Sequence, residues 1–322
     1  MKLPSLAKIE AAAETVYGAM PPTPQYAWRL LSQRAGCTVW VKHENHSPVG
    51  AFKVRGGLVY MKELAERHPD VPGVVTATRG NHGQSIGFAA RQLGLKAVIL
   101  VPHGNSTEKN AAMEAQGVDL QIYGSDFQEA REHCRELSEE HGYHMIEPFL
   151  EGLVRGVATY PLEFFKAVPD LDSVYVPIGQ GSGICATVAA RDALGLKTKI
   201  VGVVAEDAPA YKLSFDAGRA VSSNRSQTIA DGMACRVPDP QAVEIICRGV
   251  ERVVTVSEAE IRAAMRIYYS DTHNLAEGAG AAPLAALLKE KEAMAGRNVG
   301  LMLTGGNVDA TVFREVLAEA QA

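Results

Sequence analysis

Val174-Tyr175-Val176-Pro177-Ile178-Gly179-Gln180-Gly181-Ser182-Gly183-Ile184 is the stretch that decides the fold. Val174 to Val176 is a short β-rich run, Gly179 to Gly183 a glycine turn, and Ile184 to Leu194 a helical pattern. A strand passing through such a turn into a helix is the first half of a βαβ unit. Glycines let the backbone approach an anion closely, and the free N–H groups where a helix begins favour a phosphate there. Two rival readings stand beside that one. The turn could be a tight connection with no ligand, or part of a dinucleotide fingerprint with Glu206, after the next strand, as the ribose-binding acid. Against the fingerprint, the third glycine comes one residue early and the turn lies deep in the chain.

The same alternation extends outward in both directions. Thr38 to Val41, Val74 to Thr76, Ala97 to Val101 and Asp119 to Tyr123 read as strands, as do Ile200 to Val204, Val253 to Val256 and Val299 to Leu303. Lys53 to Glu66, Gln84 to Leu93 and Asp126 to Glu140 read as helices. Ser257 with Glu260 forms a capping-box pattern that starts a helix after Val256. Strands alternating with helices of this length predict an α/β protein with mostly parallel sheets. No linker, repeat or charge block divides the chain, and a helix from Ala310 to Ala322 is expected to close it without room for a regulatory domain.

Bulk properties exclude several classes. The 322 residues suffice for a large core, and 47% hydrophobic with 21% charged residues is a globular balance. A net charge of -5 gives no support for nucleic acid as a partner. No apolar run approaches the roughly 20 residues of a membrane-spanning helix. Glu10 and Glu14 make the N-terminus a poor secretory signal. Cys37, Cys134, Cys185, Cys235 and Cys247 are odd in number and widely spaced, which points to reduced thiols and a cytoplasmic location.

Three further turns have the polar content of ligand sites. Gly50 to Gly57 carries Phe52 and Lys53, Thr78 to Gln84 carries Thr78, Arg79, Gly80, Asn81 and His82, and Thr304 to Asp309 follows a buried-looking strand. Singly, each has a plain reading: a solvated lysine, a helix cap with a surface histidine, a turn with an N-cap. Polar residues beyond the carboxyl ends of parallel strands are, however, where open α/β sheets bind ligands.

Taken together with Val41 to Asn45, Thr228 to Gly232 and Glu277 to Gly280, the order and content of these turns resemble the threonine and serine dehydratases. These are fold-type-II pyridoxal phosphate (PLP) enzymes, a group that also includes serine racemase. The resemblance spans nearly the whole chain. It implies a tryptophan synthase β-like architecture of two doubly wound open-sheet domains with PLP between them. Residues 50–145 would form the small domain, and residues 1–49 and 146–322 the large PLP-binding domain. It further implies that Lys53 binds PLP covalently, Phe52 and Asn81 flank the ring, and Gly179, Gln180, Gly181, Ser182 and Gly183 hold the phosphate. Glu277 belongs to the cofactor site, and Thr304 meets the pyridine nitrogen with a neutral hydroxyl, which makes the ring a mild electron sink suited to loss of a β leaving group. Thr78, Arg79, Gly80 and His82 would bind substrate. Freed Lys53 would remove the α-proton as general base, the β-hydroxyl would leave, and a 2-keto acid and ammonia would result. A homodimer is the family expectation.

Three positions depart from the family pattern. Ala51 replaces the usual serine, with no sharp consequence. Arg79 stands where a small residue, often serine, is usual. Arginine is a poor proton exchanger, so racemisation is disfavoured; Arg79 either points to solvent or reads the substrate, pairing with the second carboxylate of 3-hydroxyaspartate or stacking on the ring of 3-phenylserine. Where some relatives bind a divalent cation, Glu206 and the Ala210 carbonyl match but Lys212 replaces the second acid, so no metal is expected and Lys212 could satisfy Glu206. His43-Glu44-Asn45-His46 lacks zinc-motif spacing and reads as structural. The expected activity is a PLP-dependent dehydratase acting on a β-hydroxy-α-amino acid. Racemisation, another β-elimination or replacement, a silent PLP carrier and a nicotinamide oxidoreductase stand as alternatives.

Overall fold

A computed structural model describes residues 1–319. Its strands are β1 (Gln25–Ala27), β2 (Thr38–His43), β3 (Val74–Ala77), β4 (Ala97–Val101), β5 (Asp119–Ile122), β6 (His144–Met145), β7 (Ser173–Pro177), β8 (Lys199–Ala205), β9 (Arg252–Val256) and β10 (Asn298–Leu303). They form a six-stranded sheet in the order β1-β2-β10-β7-β8-β9 and a four-stranded sheet in the order β5-β4-β3-β6. All pairings are parallel except that of β1, which lies antiparallel against β2 at the sheet edge.

Every residue of β3, β4 and β7 is buried. Helices cover both faces of a parallel sheet, so its inner strands are apolar throughout rather than alternating. Successive side chains of β7 still go to opposite faces. Val174 and Val176 join one core with Phe164 and Ile184, while Tyr175 joins the other with Val39, Val41 and Leu301. The helix Leu6–Tyr17 serves both units: Ile9 packs into the six-stranded core, and Ala12 and Val16 pack beside Val54 and Ile86 in the core of the four-stranded unit.

Local chemistry sets the helix starts. Asp126 caps Phe127–His141 by accepting from Gln128 N and Glu129 N, and the Ser257–Glu260 capping box is complete. The second helix of the four-stranded unit begins at Asn81, one turn before the expected Gln84, because Gly80 ends the preceding turn with φ 149°. The last helix runs Ala310–Ala318, shorter than expected, and residues 320–322 lie outside the described residues. No described helix is long and apolar enough to cross a membrane.

Candidate active site

Four loops at the carboxyl ends of parallel strands converge on one cavity lined by Phe52, Lys53, Thr78 to His82, Gly179 to Gly183, Glu277 and Thr304. Every site residue named from the sequence is therefore on its wall. The loop of 78–82 follows β3, that of 179–183 follows β7, and Thr304 follows β10. The Lys53 loop differs from the sequence expectation. It does not leave β2 directly, since a short 3-10 turn at Glu44–His46 and a loop intervene before Lys53 opens a 15-residue helix.

That helix is fixed two residues on by Arg55, which is fully buried. The Arg55 guanidinium donates to Glu44 at 2.7 Å and to Glu163 at 2.6 Å. Lys42 donates to the same Glu163 at 2.5 Å, and Thr23 Oγ1 donates to Glu44 at 2.5 Å. Burial disfavours the Arg55 charge, but the two carboxylates outweigh it and hold the group firmly protonated. His43 is also buried, with its ring accepting from Trp28 Nε1 at 2.9 Å, so the His43–His46 stretch is structural. Ala51, where the family has serine, is wholly buried, and Ser47 Oγ bonds both its N–H (2.9 Å) and its carbonyl (2.8 Å).

Lys53 Nζ donates to Ser182 Oγ at 2.8 Å and lies 5.2 Å from the Phe52 ring centroid. Desolvation lowers its ammonium to about 8, which leaves roughly a tenth of it as the amine at pH 7. His82 is buried, and burial followed by the Lys53 charge lowers it to about 3, so the imidazole is neutral. Thr78 commits its Oγ1 to the N–H groups of Gly80 (2.9 Å) and Gly83 (3.2 Å), setting the shape of the loop. Arg79 is exposed at the outer mouth and pairs with no carboxylate among the described residues.

Asn81 stands in a chain of side chains. Asn307 Nδ2 donates to Asn81 Oδ1 at 2.8 Å, and Asn81 Nδ2 donates to Glu277 Oε1 at 2.7 Å. Glu277 Oε2 is 3.5 Å from Lys109 Nζ, which itself bonds Asp231 Oδ2 at 2.5 Å. Burial raises Glu277 to about 7 against the opposing pull of Lys109. Lys109 and Asp231 were not singled out as site residues from the sequence. A usable signal was present: Ser106-Thr107-Glu108-Lys109 is a helix start beyond a parallel strand, as Asn81 is, and Asp231 lies in the quoted Thr228 to Gly232 stretch.

The residues fit the cofactor that the sequence implied. His82 Nε2 is a buried polar atom without a hydrogen-bond partner among the described residues, and His82 lines the cavity, as does Glu277, whose Oε2 faces Lys109 Nζ at 3.5 Å. The first N–H groups of the helix Ser182–Ala193 have no intrahelical acceptor and face the same space. Gly179 has no room for a side chain, since a Cβ would strike the Gly232 carbonyl, and Gly181 has φ 95°. A backbone turn of this kind can cradle a phosphate. Asn81 retains one amide N–H, and the buried Thr304 brings a hydroxyl rather than an acid.

The expectation about Lys212 is corrected. Its Nζ bonds Asp216 at 2.5 Å one helical turn away, so it does not satisfy Glu206, which remains exposed. Among the described residues, no group of three His, Cys, Asp or Glu side chains converges as a metal site.

The sequence profile of the pyridoxal-phosphate dependent enzymes matches residues 16–305. An L-threonine ammonia-lyase from Thermotoga maritima is 30% identical over 97% of this chain and 78% of its own length. The biosynthetic L-threonine dehydratase IlvA of Haemophilus influenzae is 32% identical over 94% of this chain, which spans 59% of that protein. Maize serine racemase superposes with a TM-score of 0.91 at 25% identity, covering 98% of this chain and 97% of its own.

Proposed function

Because the chain belongs to the threonine and serine dehydratase family of fold-type-II pyridoxal-phosphate dependent enzymes, we propose that it removes water from a threonine- or serine-like β-hydroxy-α-amino acid. The products are a 2-keto acid and ammonia. The observation that carries this reading is the 2.8 Å contact of Lys53 Nζ with Ser182 Oγ, which brings a partly deprotonated lysine to the glycine cradle.

In this reading Lys53 holds PLP covalently, and the N–H groups from Gly179 to Gly183 hold its phosphate. Phe52 packs beside the ring, and the free N–H of Asn81 is available to the ring hydroxyl. When bound, PLP withdraws electrons from the substrate α-carbon. Once the substrate amine has displaced it, the freed Lys53 would take the α-proton, and its lowered basicity keeps the amine form available. Thr304 offers the ring nitrogen a neutral hydroxyl, which favours prompt departure of a β-hydroxyl over prolonged carbanion chemistry. The N–H groups at the start of the helix Asn81–Leu93 suit the substrate carboxylate, and neutral His82 lies beside them with its Nε2 unpartnered among the described residues. Residues 50–145 would form the small domain, and a homodimer is the assembly to be expected.

Purified holoenzyme should release keto acid from L-threonine and L-serine, with 3-phenylserine and 3-hydroxyaspartate as comparison substrates. Bound PLP without keto acid from any of them would overturn the reading, and D-serine formed faster than keto acid would favour racemisation.

A further inference from the structure

The polar chain through Asn81 has an order that bears on how the site is assembled. Asn307, Glu277 and Asp231 belong to the six-stranded unit, while Asn81 and Lys109 follow β3 and β4 of the four-stranded unit. Along the chain Asn307–Asn81–Glu277–Lys109–Asp231 the residues therefore alternate between the two units at every step. The helix Thr107–Glu114 that carries Lys109 is tied to the six-stranded unit at two further points. Its cap residue Ser106 donates to Asp309, and Glu108 Oε1 accepts from Ala310 N at 2.8 Å. The Lys109 stem also packs on Gly80, where a Cβ would collide with it, so the same side chain backs the loop that presents Asn81.

We propose that Lys109 is a positioning residue whose cation, held between Asp231 and Glu277, keeps the Glu277 carboxylate on the Asn81 amide and so fixes Asn81 against the cofactor ring. Glu277 is buried, and a buried carboxylate needs a charged partner to stay ionised. Lys109 is that partner at 3.5 Å, and it is itself kept charged because the two carboxylates outweigh its burial. An ionised Glu277 is an acceptor for Asn81 Nδ2; a protonated one is a weaker acceptor. Lys109 and Asp231 are the charged groups facing Glu277. The other titratable side chains lining the cavity are Lys53, Arg79, His82 and Cys235.

The inference rests on Asn81 being a cofactor contact, but not on which amino acid is turned over. Its test is the pH titration of the absorbance of bound PLP in the holoenzyme, read without substrate. Wild type should show a limb near the Glu277 value of about 7. Lys109→Met removes the cation and should move that limb up by more than about one pH unit, with Lys109→Arg restoring it. Asp231→Asn removes a like charge and frees Lys109 for Glu277, so it should move the limb down. Glu277→Gln should abolish the limb and make Lys109→Met spectrally silent. Loss of a mere structural brace would lower the thermal midpoint in both Lys109→Met and Asp231→Asn and leave the limb where it was, which would overturn the proposal. Equal shifts in the same direction would overturn it as well. If Lys109→Met does not fold, the sign of the Asp231→Asn shift decides. A chain that binds PLP with the predicted shifts but releases no keto acid would refute only the substrate reading.

Discussion

Lys53 Nζ lies 2.8 Å from Ser182 Oγ, across 129 positions of sequence. The lysine begins one helix and the serine another, so each helix N-terminus brings one partner to the cavity. A lysine placed there by two helix starts and desolvated by its surroundings suits covalent capture of an aldehyde. Lys53→Ala should abolish retained PLP absorbance after gel filtration and lower keto-acid release at least about 1000-fold. In the apo protein, the rate of PLP capture should rise with pH and level off above about 8, where the Lys53 ammonium has lost its proton.

The glycine cradle makes a graded prediction. Gly179→Ala drives a methyl group into the Gly232 carbonyl, whereas Gly181→Ala places alanine at φ 95° and its Cβ 2.7 Å from Ala242. Both should weaken PLP retention, measured by equilibrium dialysis, and Gly179→Ala should do so more because its Cβ would lie only 2.0 Å from the obstructing atom.

Arg55 is wholly buried between Glu44 and Glu163. Arg55→Met leaves Glu44 in the core without its cation and Glu163 with Lys42 alone, and should destabilise the fold by about 3–5 kcal/mol in urea unfolding.

His82 is lowered to about 3 in the folded chain, against an ordinary value of 6.5. Between those values the unfolded chain binds the proton and the folded one does not, so stability falls as pH drops from 6.5 toward 3. His82→Asn should reduce the apo protein's pH dependence in that window by up to about 1.4 kcal/mol per pH unit, read from urea midpoints.

Arg79 is exposed where it lines the cavity and is unpaired among the described residues. Arg79→Ala should leave PLP absorbance unchanged and L-threonine turnover within about threefold, since an exposed charge contributes little. A large change in the ratio of L-threonine to 3-hydroxyaspartate turnover would make it a substrate-reading residue.

The parallel strands were legible because an inner parallel strand is an unbroken apolar run, and β4 was read to the residue. Two strands escaped. Gln25–Ala27 is an edge strand with exposed Tyr26, and His144–Met145 has only two residues, so neither carries a run of buried apolar side chains. Lys109 escaped for a different reason. A lysine in a helix has ordinary composition, and what distinguishes it is a partner 122 positions away. Lys212 misled in the same way: it stands where the family pattern has a second metal-binding acid, which suggested a pair with Glu206, but it bonds Asp216, four residues on along its own helix.

The position of β10 bears on how the chain is made. It lies between β2 and β7, hydrogen-bonded to both, yet it is the last of the ten strands in sequence. While the ribosome is still translating, β2 and β7 each present an open parallel edge to a slot that only Asn298–Leu303 can fill. The four-stranded sheet has no such gap, because all its strands have emerged by Met145. The smaller sheet can therefore complete itself during synthesis, while the larger must wait with two unpaired edges, the stage at which a newborn chain is most exposed to aggregation.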